Sequence, residues 1–333
     1  MKHLQPLRIL VVLVLAVSSV LAQAPTTSAD YLKRGDAKYY EGDLNAAIAD
    51  FDKAIELDPT NAGAYFRRGV VHDRKDETDA AIADYTKAIE LRPRNTFAYN
   101  NRAMAFKKKG QRDAAIADFT KAIEVDPTYA GGFYNRGLAL AEKGDRDGAI
   151  ADYTKAIELK PMFASAYNNR GNVRLDNGDL DGAVADYSES LKIEPGHATT
   201  YVGLGDVRSK RGEFALAIQN YEEAIRLSPT MADAYNHLAW LLATCPKDAF
   251  RNGARAVEQA RRAGVLSNWK DPGVLDTLAA AYAETGDFDS AIKWQNKALS
   301  FVNYEKAVGE EGRARLQLYT GHKPYRDLGQ TAK

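Results

Sequence analysis

From Asp43 to Leu57 the chain reads DLNAAIADFDKAIEL, and its apolar residues keep a helical beat. Ala47, Ile48, Phe51, Ala54 and Ile55 recur at i, i+1, i+4, i+7 and i+8, one face of an α-helix. Gly42-Asp43 supplies a turn and an acidic helix start. Asp58-Pro59 ends the helix, because proline disfavours helical geometry in the residue before it. The same pattern returns down the chain. Prolines fall at Pro59, Pro93, Pro127, Pro161, Pro195 and Pro229, each 34 residues after the last.

Setting that proline at position 32 of a 34-residue unit aligns everything else. Position 20 reads Ala47, Ala81, Ala115, Ala149, Ala183 and Ala217, and position 24 reads Phe51, Tyr85, Phe119, Tyr153, Tyr187 and Tyr221. Position 8 reads Gly35, Gly69, Ala103, Gly137, Gly171 and Gly205. From the second unit onward position 4 is Tyr65, Tyr99, Phe133, Tyr167, Tyr201 and Tyr235. Small residues at 8 and 20 let two helices approach closely, and the aromatics fill the space around that contact. This aromatic ladder reads as core, not as a platform for stacking bases.

These residues resemble the tetratricopeptide repeat, and the resemblance covers nearly all of the chain beyond its N-terminal segment. It implies an all-α, right-handed superhelical solenoid of about eight helix-turn-helix units with a C-terminal capping helix. The regular units are expected at 28–61, 62–95, 96–129, 130–163, 164–197 and 198–231. A seventh, 232–271, carries a five-residue insertion at Thr244-Cys245-Pro246-Lys247-Asp248, with its second helix resuming near Gly253. An eighth, 272–305, lacks the terminal proline. The remainder, 306–333, is expected to complete a capping helix over Tyr304 to Tyr319 and to end in a tail from Gly321-His322-Lys323-Pro324.

The repeated units also allow a comparison inside one chain. Position 7, usually Leu in this family, is Arg34, Arg68, Arg102, Arg136 and Arg170 in the first five units. Position 23 in the same units is Asp50, Asp84, Asp118, Asp152 and Asp186. In the sixth unit both change together, to Leu204 and Asn220; the later units have Leu238 with Gln259 and Leu278 with Trp294. Joint change predicts that the two positions face each other, across the helix pair or across the joint between units. Arginine's planar fork suits a bidentate carboxylate. The alternative is an anion-binding stripe, which the matching acid ladder would neutralise.

Charge and chemistry narrow the function. The 333 residues balance 45 basic against 45 acidic side chains, which argues against nucleic acid as the main partner. Charged residues at 27% and hydrophobic residues at 45% argue against wholesale disorder. The single cysteine, Cys245, permits no internal disulfide and reads as a small buried apolar group. Lys2, His3 and Arg8 precede an apolar run from Ile9 to Val17, and small residues follow to Ala22. That order predicts a signal peptide over 1–22, cleaved before Gln23, and a short linker over 23–27. An uncleaved membrane anchor is the alternative, although the run is shorter than the roughly 20 residues a spanning helix needs. The chain is thus similar to exported bacterial members of the family, periplasmic or secreted.

In this family the first helix of each unit lines a concave groove through positions 2, 5, 6, 9, 12 and 13. Position 6 is Asn101, Asn135 and Asn169 in three successive units, with Asn100, Asn168 and Asn172 nearby. Asparagine both donates and accepts, so such a row can pair with an extended peptide backbone; alternatively the side chains are merely solvated or cap local turns. The lysines and arginine of the family's carboxylate-clamp subclass are not matched, since position 2 is Ala29, Gly63, Phe97, Gly131 and Ser165, and Leu32 stands at position 5 of the first unit. His3, His72, His197, His237 and His322 are scattered without metal-ligand spacing. Phosphate-loop and nucleophile-elbow motifs are absent from the sequence, and no cofactor is expected. Asn177-Gly178-Asp179-Leu180-Asp181-Gly182 resembles the start of a calcium loop, but Ser188 stands where the closing Glu belongs. The expectation is a non-enzymatic scaffold or adaptor holding a peptide or partner protein. A membrane-tethered assembly component and a regulatory subunit of an enzyme on another chain are the alternatives; homo-oligomerisation stays open.

Overall fold

The computed structural model describes residues 25–327, so the leader segment and the last six residues lie outside the described residues. The chain divides into two compact bodies, residues up to Pro93 and residues from Arg94 onward. The first holds α1 (Ser28–Glu41), α2 (Leu44–Leu57), α3 (Ala62–Arg74) and α4 (Thr78–Leu91). The first three of these helices start on side-chain caps. Thr27 and Asp30 form a capping box, Asp43 accepts from the Ala46 N–H, and Asn61 accepts from the Ala64 N–H. The turn between α1 and α2 is made at Gly42, whose φ of 87° a side chain would oppose. Ala47, Phe51 and Val71 form its buried centre, flanked by Leu32, Tyr39, Leu44 and Ile48.

The second body continues the hairpins with α5 (Thr96–Lys108), α6 (Arg112–Val125), α7 (Ala130–Lys143), α8 (Arg146–Leu159), α9 (Ala164–Asp176) and α10 (Leu180–Ile193). Next come α11 (Ala198–Lys210), α12 (Phe214–Leu227), α13 (Ala232–Thr244), α14 (Gly253–Leu266), α15 (Pro272–Thr285), α16 (Phe288–Leu299) and α17 (Val302–Thr320). In units three to five each hairpin closes over one aromatic ring. Phe119, Tyr153 and Tyr187 are buried, and each contributes about 1.5–3 kcal/mol through burial. The small residue opposite is a steric requirement: a Cβ at Gly171 would sit 2.8 Å from the Tyr187 ring.

The calcium-loop-like stretch is a helix connection. Gly178 takes φ 79° and the Asp179 carboxylate caps α10 by accepting from the Gly182 N–H. Asp181 is paired with Arg211.

From α12 onward the packing changes. One contiguous apolar core runs from Phe214 and Tyr221 through Leu238, Leu241 and Leu242 to Ala279, Ala291 and Tyr319. The connection after α13 is pinned by Asn252, which accepts from the Arg255 N–H, and by Phe250, whose ring lies 5.7 Å from that of Phe214. Cys245 is buried at 2% exposure, and burial pushes its thiol pKa up. At position 23 of the eighth unit Trp294 stacks on Trp269 at 5.2 Å. The closing helix α17 bends at Val308. Among the described residues no helix is long and apolar enough to cross a membrane.

Candidate peptide-binding face

The arginines at position 7 are bound in a repeated cage. Each donates through Nε and Nη2 to the two oxygens of its position-23 aspartate, Arg34 to Asp50, Arg68 to Asp84, Arg102 to Asp118, Arg136 to Asp152 and Arg170 to Asp186, at 2.5–2.9 Å. Each guanidinium also lies over the position-4 ring three residues before it, 5.2–5.8 Å from the centroid. A further donor reaches the preceding unit from Arg68 to Asp52, from Arg136 to Thr120 and from Arg170 to Thr154. The fork therefore closes its own helix pair and also ties the joint. All five aspartates are buried, so the carboxylates are enclosed by the fold. Where the pairing stops, Leu204 is buried apolar and Asn220 accepts from Arg208 instead.

The asparagines of the second body form an interlocked row. Asn100 and Asn168 are buried, and their amides donate to the adjacent Asn101 and Asn169 at 3.2 Å. Asn135 donates to Asn100 at 2.9 Å, and Asn169 donates to the Tyr134 hydroxyl at 3.0 Å. Thr200 donates to Asn168 at 2.9 Å, while Asn172 is exposed and accepts from the Tyr187 hydroxyl at 2.7 Å. These bonds stitch the first helices of neighbouring units together. Asn100 and Asn168 thus belong to the seam beneath the surface, whereas Asn101, Asn135 and Asn169 stay partly exposed above it.

At the joint of the sixth and seventh units a different set takes over. His237 Nδ1 lies 2.6 Å from Asp206, whose carboxylate also accepts from the Tyr221 hydroxyl at 2.7 Å. Burial disfavours the charged imidazole, but the hydrogen bond and charge of Asp206 outweigh it and hold the His237 pKa above its ordinary value.

The segment read as a tail does not simply leave the protein. After α17 it turns through His322 at φ 54° and runs back along the first helices of the last two units. Arg315 of α17 forms a buried pair with Asp276 at 2.9 Å, and its guanidinium lies 5.6 Å from both the Trp240 and Tyr325 rings. The Asp327 N–H donates to the Thr244 carbonyl at 2.8 Å, and the Trp240 indole N–H donates to the Asp327 carboxylate at 3.0 Å. Glu284 is shared between Arg326 at 2.6 Å and Arg251, in the connection between α13 and α14, at 3.0 Å. Trp240, Thr244, Asp276 and Glu284 stand at positions 9, 13, 5 and 13 of their units. Nothing in the repeat pattern announces this cluster, because Trp240, Thr244 and Asp276 have no like residue at the same position of another unit.

Models of the tetratricopeptide repeat match along the chain: one, a TPR repeat, at residues 35–76 and 139–178, and others at 62–95, 96–129, 162–230 and 273–301. No curated protein matches the chain. Among solved structures, a tetratricopeptide repeat protein from Parabacteroides merdae ATCC 43184 is 19% identical, aligning 76% of this chain and 98% of that one with a TM-score of 0.60. The APC/C hetero-tetramer Cut9-Hcn1 is 17% identical, aligning 86% of this chain and 55% of that one with a TM-score of 0.63. MamA is 30% identical over 48% of this chain and 94% of that one, with a TM-score of 0.47. The first two likenesses concern the fold, an all-α repeat solenoid.

Proposed function

The chain belongs to the tetratricopeptide repeat family, and on that premise we propose that it is a non-enzymatic scaffold holding an extended peptide or partner protein along the first helices of its repeats. The observation that carries this is the row Asn101, Asn135 and Asn169: three half-exposed amides, one per repeat, with Asn135 and Asn169 bonded into the unit before them. A side-chain amide offers donor and acceptor together, so it can pair with a peptide backbone whatever the peptide's sequence. Packed helices lie about 8–10 Å apart, and an extended chain rises about 3.3 Å per residue, so one amide would meet every third residue of the ligand. Asn172, one turn beyond Asn169, extends the row.

Each described histidine has a local partner: His72 with Glu77, His197 with Thr200, His237 with Asp206 and His322 stacked on Phe288. The five Arg–Asp pairs act as register-setting ion pairs. Changing Asn101, Asn135 and Asn169 together to alanine is expected to abolish partner capture while far-ultraviolet circular dichroism stays unchanged. Undiminished capture would refute the row as the site. We further infer export, from the basic start, short apolar run and small residues before Gln23. N-terminal sequencing of the protein recovered outside the cytoplasm is expected to start at Gln23, and an intact Met1 would overturn cleavage.

A further inference from the structure

We propose that Trp240, Thr244, Glu284 and Arg315 form a second docking site, for an extended peptide with consecutive aromatic, basic and acidic residues, and that the chain's own Tyr325-Arg326-Asp327 is its exchangeable occupant. The proposal deepens the reading of this chain as a peptide holder by naming a ligand chemistry, and it concerns a different set of residues.

The contacts of the segment are those of a ligand. The Asp327 N–H donates to the Thr244 carbonyl, a group at the last turn of α13 that has no later residue of its helix to serve. Three side chains then read three chemistries. The Tyr325 ring lies 5.8 Å from the Trp240 ring and beneath the Arg315 guanidinium. Arg326 pairs with Glu284, and Asp327 accepts from the Trp240 indole. One main-chain bond with side-chain contacts on either side is how extended peptides are commonly held. The segment is also non-helical, and it begins only after α17 has closed its last turn through the His322 N–H to the Tyr319 carbonyl and the Lys323 N–H to the Leu318 carbonyl.

Withdrawal of the segment strands no buried charge. Glu284 keeps Arg251, and Arg315 keeps Asp276 and the Tyr304 hydroxyl. Had either lost its sole partner, a buried unpaired charge would oppose exchange and the segment would be a fixed part of the core. Instead the site without its occupant is already neutralised by its own residues. Tethering gives the tail a local concentration on the order of millimolar, so it outcompetes a free peptide of the same chemistry until it is released.

The test uses the full chain. Arg326→Glu sets two carboxylates against each other at Glu284 and releases the segment. The probe is a fluorescent synthetic peptide of residues 323–329, followed by anisotropy. The variant is expected to bind it at least about 10-fold more tightly than the natural chain, because the site is no longer blocked by its tethered occupant. Peptides with Asp327 replaced by alanine or with scrambled order are expected to bind no better than to the natural chain, and adding Glu284→Gln to the variant should remove the gain. If Arg326→Glu unfolds early, Asp327→Ala, which removes only the carboxylate bonded to Trp240, carries the same test. A folded, tail-released variant that binds the peptide no better than the natural chain, or binds the scrambled peptide equally well, overturns the proposal. Capture along Asn101, Asn135 and Asn169 uses none of these residues, so either reading can fail without the other.

Discussion

The third to fifth repeats and the last two repeats with their closing helix solve the same problem in different ways. In the first region each joint is alike: a small core such as Ala103, Ala115, Phe119 and Ala139, an arginine fork on a buried aspartate, and an amide bonded one unit back. In the second a large apolar core spans several helices, and its polar contacts do not repeat from unit to unit, as in the buried pair of Arg315 with Asp276. Repetition gives an evenly spaced surface suited to an extended ligand of any sequence. Uniqueness gives a terminus closed against further stacking, with chemistry distinctive enough to select a ligand.

The comparison breaks most visibly at Arg315. Replacing it by methionine leaves the Asp276 carboxylate buried without its partner, and a loss of about 3–5 kcal/mol is expected in urea unfolding. A loss below about 1 kcal/mol would mean that this end is held by apolar packing alone. In the regular region the sensitive contact is steric. Gly171→Ala drives a methyl group into a Tyr187 ring that its hydroxyl bond to Asn172 holds in place, and about 1–3 kcal/mol should be lost. A neutral result would show that the ring yields.

A double-mutant cycle on Arg136 and Asp152 sharpens the comparison from the regular side. The pair is bidentate and its carboxylate enclosed, so a coupling of about 0.5–3 kcal/mol is expected. Coupling near zero would show that the pair adds nothing to the closure of its helix hairpin. The smallest effect is a pH dependence at the transition between the regions. His237 has its pKa raised when folded, so its pairing with Asp206 is fully present below the ordinary histidine range and is lost as pH rises through the folded value. Melting temperature should therefore fall over that interval in the natural chain, and His237→Gln should remove that part of the slope. An unchanged slope would show that the pair does not report on folding.

Much of the regular region is legible in the sequence because copies can be compared. The joint change of Arg170 with Asp186 to Leu204 with Asn220 marks a contact before any coordinate is known, and the pair sits in contact in the structure. The asparagine row is only half legible. Its bonds run from position 6 to position 5 of the preceding unit, as from Asn135 to Asn100, and a column-by-column reading misses an offset of one. Burial of Asn100 and Asn168 depends on helix rotation at the joint, which a single sequence does not encode locally. The docked segment is least legible, because Trp240 and Asp327 lie 87 residues apart and neither has a counterpart in another unit.

The most direct test of the central claim is site-specific photocrosslinking in the native host. A benzophenone amino acid replaces Met104, exposed and one turn beyond Asn101 on the same helix, and separately Lys121, exposed on the second helix of the same unit. Adducts are then identified by mass spectrometry. The account predicts a discrete polypeptide adduct from position 104, absent from position 121 and lost when Asn101, Asn135 and Asn169 are alanine. No adduct from position 104, or the same adducts from both positions with the asparagines removed, would contradict it.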